Sequence, residues 1–227
     1  TSGDDAFSGS LGGLGTNENR LALVKSGAGN LTLSAVNTYT GSTTVPQRAL
    51  RMATGGALPA QADLILNGGT LELNATSQTV KSLTVGAGGG TIDFGTSVGT
   101  STLRVTNAIS SSWSGNLVIR NFESGIDHCF FGPDTAGLGA QANKVTLEDP
   151  VGYPAGSYSV TLNAAGEVVI AVAPLDFTFS NNGNGTVTVT GYTGSGGSVT
   201  IPDHLGGLPV TAIGESAFEG MNSLSSV

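Results

Sequence analysis

Short alternating apolar couplets, cut apart by glycine, constrain this chain more than any other feature. Between Leu21 and Leu50 it reads LALVKSGAGNLTLSAVNTYTGSTTVPQRAL. Leu21 and Leu23, Leu31 and Leu33, and Thr43 and Val45 each sit two apart, so in an extended backbone each pair shares a face. Gly27, Gly29 and Gly41 fall between the couplets, where sharp turns need a residue that tolerates positive φ. A buried Leu or Val contributes about 1.5–3 kcal/mol, while every ordered residue costs about 1–2 kcal/mol in backbone entropy. One short strand cannot offset that alone. Stability must belong to an array in which each strand is covered by the next.

The couplets continue as Leu50/Met52, Leu64/Leu66, Leu71/Leu73, Leu83/Val85, Ile92/Phe94, Leu103/Val105 and Leu117/Ile119. Gly55-Gly56, Asn67-Gly68-Gly69, Gly86–Gly90 and Gly95 punctuate them. The spacing suits coils of two or three short strands per turn. A β-sandwich would share the composition but would show more two-residue hairpin turns; in this region only Asn67-Gly68 qualifies. Glycine supplies 36 of 227 residues and charged residues only 11%, an all-β composition without the Gly-X-Y period of collagen.

A net charge of −8 leaves no basic face for nucleic acid and none for anionic membranes. No run approaches the roughly 20 apolar residues of a spanning helix. Thr1 opens directly into polar sequence without a signal peptide, as expected of a processed product or an excised fragment. Cys129 is the single cysteine, so no internal disulfide is expected.

Lys25-Ser-Gly-Ala-Gly-Asn-Leu-Thr-Leu33, then Asn37-Thr-Tyr-Thr-Gly41 and Thr43-Thr-Val45, resembles the autotransporter-associated β-strand repeat of bacterial secreted passengers. Ala35 stands where that family usually has glycine, and Arg48-Ala49 replaces its customary Gly-Thr. The resemblance implies an all-β fold, a right-handed parallel β-helix, exported to the bacterial cell surface. Residues 1–110 are expected to hold the repeats. Residues 111–174 concentrate Trp113, Phe122, Phe130, Phe131, Tyr153 and Tyr158 and are similar to the region that ends such passengers; a β-rich cap is expected, with one helical turn over Asp134–Ala142. Pro174 marks the next boundary. Residues 175–227 open with a hairpin closed by an Asn/Gly turn and then resemble the start of a BspA-like leucine-rich repeat array. Phe218 and Leu224 would be core residues of an incomplete repeat. With Val227 they would form an apolar self-assembly edge.

Candidate chemistry is sparse. Asp127-His128-Cys129 brings acid, imidazole and thiol together, but consecutive strand residues point oppositely and no nucleophile elbow frames them. His204 beside Asp203 reads as a polar turn rather than a zinc pattern. Asp63, Glu72 and Asp93, with Arg48 and Arg51 close by, are what a glycan-cleaving β-helix would use, if register brought them together. Gly88–Asp93 only faintly echoes a calcium repeat. Asn30, Asn74 and Asn184 open glycosylation sequons. No metal or cofactor is assigned. The expected function is a non-catalytic surface scaffold, adhesive toward a protein or glycan and leading into a repeat-based binding region. Two alternatives are a filament built head to tail by strand addition and a polysaccharide-active enzyme.

Overall fold

The computed structural model describes residues 3–227 except 14, 16, 108, 110, 111, 152, 154, 155, 171–176, 195, 200, 202, 203, 206 and 207. Pro174 and Asp203 lie outside the described residues. The chain divides into two compact units, Thr1–Glu148 with Ser157–Ala171, and Asp149–Gly156 with Val172–Val227.

The first unit is a parallel β-solenoid of about eight turns, and the described residues are almost all β. Its strands are β1 (Asp5–Phe7), β2 (Leu23–Val24), β3 (Leu31–Leu33), β4 (Thr43–Val45), β5 (Ala49–Met52), β6 (Asp63–Leu66), β7 (Thr70–Glu72) and β8 (Ser77–Val80). They continue as β9 (Ser82–Val85), β10 (Gly90–Asp93), β11 (Thr102–Val105), β12 (Leu117–Arg120), β13 (His128–Phe131), β14 (Val145–Glu148), β15 (Ser157–Leu162) and β16 (Val168–Ile170). One sheet stacks β1-β3-β5-β7-β10-β12-β14, a second β2-β4-β6-β9, and a third β8-β11-β13. Every pairing among these is parallel.

Register turns the couplets into rows. Leu31, Leu50, Leu71, Ile92, Ile119 and Leu147 follow one another on successive turns of the first sheet. From Leu50 onward each is fully buried. Thr43, Leu64 and Leu83 form the matching row of the second sheet. The third sheet aligns Gln78, Leu103 and Cys129, then Val80, Val105 and Phe131. Such tight stacking leaves no room for a side chain at some corners. A Cβ at Gly41 would run into the carbonyl oxygen of Leu21, and one at Gly29 into that of Gly3.

Parallel pairing does not stop at residue 110: β12, β13 and β14 continue the first and third sheets in unbroken register. The change of hand in the ladder comes later. β15 pairs antiparallel with β14, and β16 antiparallel with β15. A returning antiparallel strand uses the hydrogen-bonding edge of β14 without starting another turn. Trp113 and Phe131 meet edge to face beneath this end, and Phe94 meets Phe122 likewise. The helical turn expected over Asp134–Ala142 falls instead at Gly139–Lys144, as a 3₁₀ helix.

In the second unit β17 (Phe177–Asn181) and β18 (Val187–Tyr192) form the antiparallel hairpin expected from the Asn/Gly turn. β19 (Gly197–Ser198), β20 (His204–Leu205), β21 (Leu208–Ile213) and β22 (Leu224–Ser226) follow. β21 runs parallel to β18, and β22 parallel to β19. Val187, Val189, Leu205 and Ala217 form the core, with Phe177, Val210 and Phe218 packed on it.

Candidate functional site

In the coil, residues between the inward rows must face out, and their register makes ladders. On the first sheet Thr32, Arg51, Glu72, Asp93, Arg120 and Glu148 stand one above another. Arg51 bridges two turns: its Nη1 lies 2.8 Å from Asp4 and its Nε 2.6 Å from Glu72. Arg120 pairs with Glu148 in the same way. Asp93 takes a hydrogen bond from Asn121 Nδ2 at 2.7 Å and from the Gly95 N–H at 2.8 Å. The Asp4 carboxyl is held below its ordinary pKa by the Asn30 backbone N–H first, then by the Asn30 side chain and Arg51. Glu72, through its hydrogen bond, keeps Arg51 even more firmly protonated.

A shallow polar cleft of about 180 Å³ opens beside this ladder, lined by Glu72, Asn74, Asp93, Gly95, Thr96 and Asn121. The connections between first and third sheets lengthen around it, from residues 73–76 to 94–101 and 121–127. Val98 at the tip of one is fully exposed, and Ile126 on the next is 43% exposed. Long loops on a rigid scaffold are where binding residues collect.

The outer face of the third sheet carries Arg104 over the Phe130 ring, 3.8 Å from its centroid, on the facing register position. His128 stacks beside Phe130, and its Nδ1 lies 2.5 Å from Glu167. That pair ties the antiparallel end of the unit to β13.

The expected chemistry separates. Asp63 lies on the second sheet, accepting from Ser82 Oγ at 2.7 Å with Lys81 at 3.6 Å; Glu72 lies on the first sheet with Arg51. They do not face each other, while Glu72 and Asp93 do adjoin. Arg48 is not part of the Arg51 ladder but sits at a corner with φ +56°. In Asp127-His128-Cys129 the three side chains diverge. Asp127 is buried and accepts from the backbone N–H groups of Ser101 and Glu123, both at 2.9 Å. Cys129 is buried, and desolvation pushes its thiol pKa strongly upward. Among the described residues no group of three or more His, Cys, Asp or Glu could hold a metal. Among the described residues no helix is long and apolar enough to cross a membrane.

Of the expected assembly edge, Phe218 turns inward against Phe177 and Tyr192. Leu224 is half-buried on β22, and Val227 is exposed.

What sequence reasoning missed is a set of buried amides that tie one turn to the next. Asn37 Oδ1 accepts from the Leu11 N–H (2.6 Å) while its Nδ2 donates to Ala57 O (2.7 Å), so one side chain spans three turns. Gln78 joins Leu58 N–H to Thr54 O, and Gln141 accepts from the Trp113 N–H. Their signal was a polar residue at an inward position, as with Gln78 among Leu103 and Cys129.

The passenger-associated-transport-repeat model matches residues 23–47. The chain is 31% identical over 200 residues to the adhesin BmaC autotransporter of Brucella suis biovar 1 (strain 1330), across 81% of this chain and 5% of that protein. It therefore spans about a twentieth of that relative's length. No solved structure matches. The matched segment holds the Asn37 clamp and the buried Tyr39, whose Oη lies 2.6 Å from Thr43 Oγ1. Residues 23–47 are thus an autotransporter-passenger repeat wound into the β-helix, and that repeat implies an extracellular or bacterial cell-surface location.

Proposed function

We propose that the chain is a non-catalytic adhesive scaffold whose coil holds outward ladders and corner loops in fixed register for a surface partner, a protein or a glycan. The observation that carries this is the row Thr32–Arg51–Glu72–Asp93–Arg120–Glu148, six side chains repeated turn by turn on one rigid sheet. A parallel ladder is a display surface: it presents charge and hydrogen-bonding groups at a spacing of about 4.8 Å. The similarity to an adhesin supports the reading, and so do the loops carrying Val98 and Ile126 beside the polar cleft. The second unit, read as the start of a leucine-rich-repeat region, would extend the binding surface.

The test is binding of the purified chain to arrays of glycans and of extracellular-matrix proteins. Saturable binding that falls when Asp93→Lys and Arg120→Glu disrupt the ladder is expected. Turnover of a glycan, lost in Glu72→Ala, would replace the scaffold by an enzyme. A filament is a second reading, favoured by β22, which pairs only with β19 among the described strands. Light scattering over a concentration series separates it: a constant monomer mass removes it.

A further inference from the structure

The sequence holds three Asn-Gly pairs, Asn67-Gly68, Asn182-Gly183 and Asn184-Gly185. An Asn-Gly peptide can modify itself: the following backbone nitrogen attacks the side-chain carbonyl carbon, and glycine offers no Cβ to obstruct it. Two conditions favour the attack. The nucleophilic N–H must be free of other acceptors, and the carbonyl oxygen must have donors to hold the developing negative charge.

The three pairs differ sharply in these terms. At Asn67-Gly68 the Gly68 N–H donates to Gly89 O at 2.6 Å, and Asn67 Oδ1 is drawn to the N–H of Gly88 on the next turn. At Asn182-Gly183 the Gly183 N–H donates to Asn181 Oδ1 at 2.8 Å. The Asn182 carbonyl does have a donor, Thr188 Oγ1 at 2.9 Å, and its Nδ2 donates to Thr186 Oγ1 at 2.9 Å, so the engaged Gly183 N–H is what withholds the attack.

Asn184-Gly185 meets both conditions. It sits at the exposed tip of the β17–β18 hairpin, and no acceptor engages the Gly185 N–H among the described residues. Asn184 Oδ1 receives Thr186 Oγ1 at 2.6 Å and the Thr186 N–H at 3.2 Å. Those donors stand at the end of a relay running from Thr188 through the Asn182 amide to Thr186. Each hydrogen bond in such a chain polarises the next. The relay therefore ends on the Asn184 carbonyl, where the attacking N–H is free, whereas at Asn182 that N–H is engaged.

We propose that Asn184 is a self-modifying site, converting to aspartate and isoaspartate through a cyclic imide with Gly185. The Gly185 nitrogen loses its proton to solvent base and forms a bond to Asn184 Cγ. The charge develops on Oδ1 against Thr186. The C–N bond to Nδ2 then breaks, and ammonia leaves with a proton from water. Water next opens the imide at either carbonyl. The balance is one water consumed and one ammonia released, with no oxidation. Either product adds a negative charge to the hairpin tip, and the isoaspartate also lengthens the main chain there. On an exported protein this is a slow, one-way mark of age, independent of what the scaffold binds.

The test is incubation of the intact purified chain in warm, mildly alkaline buffer, with peptide mass mapping and an isoaspartyl methyl-transfer assay. Conversion at Asn184 ahead of both Asn182 and Asn67 is expected. Thr186→Val, which keeps shape and removes the hydroxyl donor, should slow Asn184 by about two- to tenfold, the worth of one exposed hydrogen bond. Thr188→Val, which removes the start of the relay, should slow Asn184 by less than Thr186→Val and should not raise the share of Asn182, whose Gly183 N–H stays engaged. Conversion at Asn67 or Asn182 as fast as at Asn184 overturns the proposal, as does an unchanged Asn184 rate in Thr186→Val. Circular dichroism of each variant verifies that the hairpin unit is folded before rates are compared.

Discussion

Replacing Gln78 with methionine tests whether buried amides hold successive turns of the coil together. The side chain is essentially inaccessible to solvent. Its Oε1 accepts from the Leu58 N–H at 3.0 Å, and its Nε2 donates to Thr54 O at 2.7 Å and to Thr76 Oγ1 at 3.0 Å. Methionine has similar length and fills the same slot, so no large cavity opens. It can make none of the three bonds. Leu58 is also fully buried, so its N–H would be left without a partner, at a cost of about 1–3 kcal/mol. The two donor bonds add about 0.5–1.5 kcal/mol each, and methionine's apolar burial gives part of that back. The net expectation is a loss of about 2–4 kcal/mol, which for a unit of this size lowers Tm by roughly 5–15 °C. Far-UV circular dichroism on heating measures it, with hydrogen exchange at Leu58 as the local readout. Gln47→Met is the control, because Gln47 is exposed and makes one bond, to Gly27 O; its change should stay within about 0.5 kcal/mol. An unchanged Tm in Gln78→Met, or an equal loss in Gln47→Met, would refute the reasoning.

Three further outcomes follow from the same structure. Trp113 is the one tryptophan, buried, with its Nε1 donating to Leu83 O at 3.1 Å; Trp113→Ala should cost about 3–5 kcal/mol, and in the wild type a red shift of its emission should coincide with loss of the β signal. Cys129 should resist iodoacetamide in the folded chain and react only in denaturant, since burial both shields it and opposes the thiolate; labelling at the rate of a free thiol would contradict its inward position. The depressed pKa of Asp4 means its contribution is complete above the ordinary carboxylate range and is lost as pH falls through the lowered folded value. Exchange protection of the Asn30 amide should therefore weaken on acidification, whereas in Asp4→Asn it should be low at every pH and show no such step.

The period of the apolar couplets made the strands legible, and the interruption by glycine made their stacking legible. Leu50, Leu71 and Ile92 could be read as one inward set because alternation fixes which side chains share a face. The stretch from Asn37 to Gly41 was readable as a motif, though not for its mechanism. Only the coordinates show Asn37 reaching to Leu11 above and Ala57 below, and Gly41 passing too close to Leu21 for any side chain. Continuation of the parallel ladder through β12 to β14 was obscured by the aromatics, which looked like a different kind of structure, although Trp113, Phe122 and Phe131 pack inside the same coil.

What the linear sequence determined was everything local: alternation, turn positions, and a composition low in charge and acidic in balance. Which outward residues become neighbours was decided by tertiary structure alone. A turn of the coil has no fixed length, so the sequence distance between stacked residues changes from Arg51–Glu72 to Arg120–Glu148. Shifting a parallel strand by one residue would exchange its two faces, and only the simultaneous burial of every inward row selects the observed register. That global choice separates Asp63 from Glu72, and through it sets Glu72 beside Asp93.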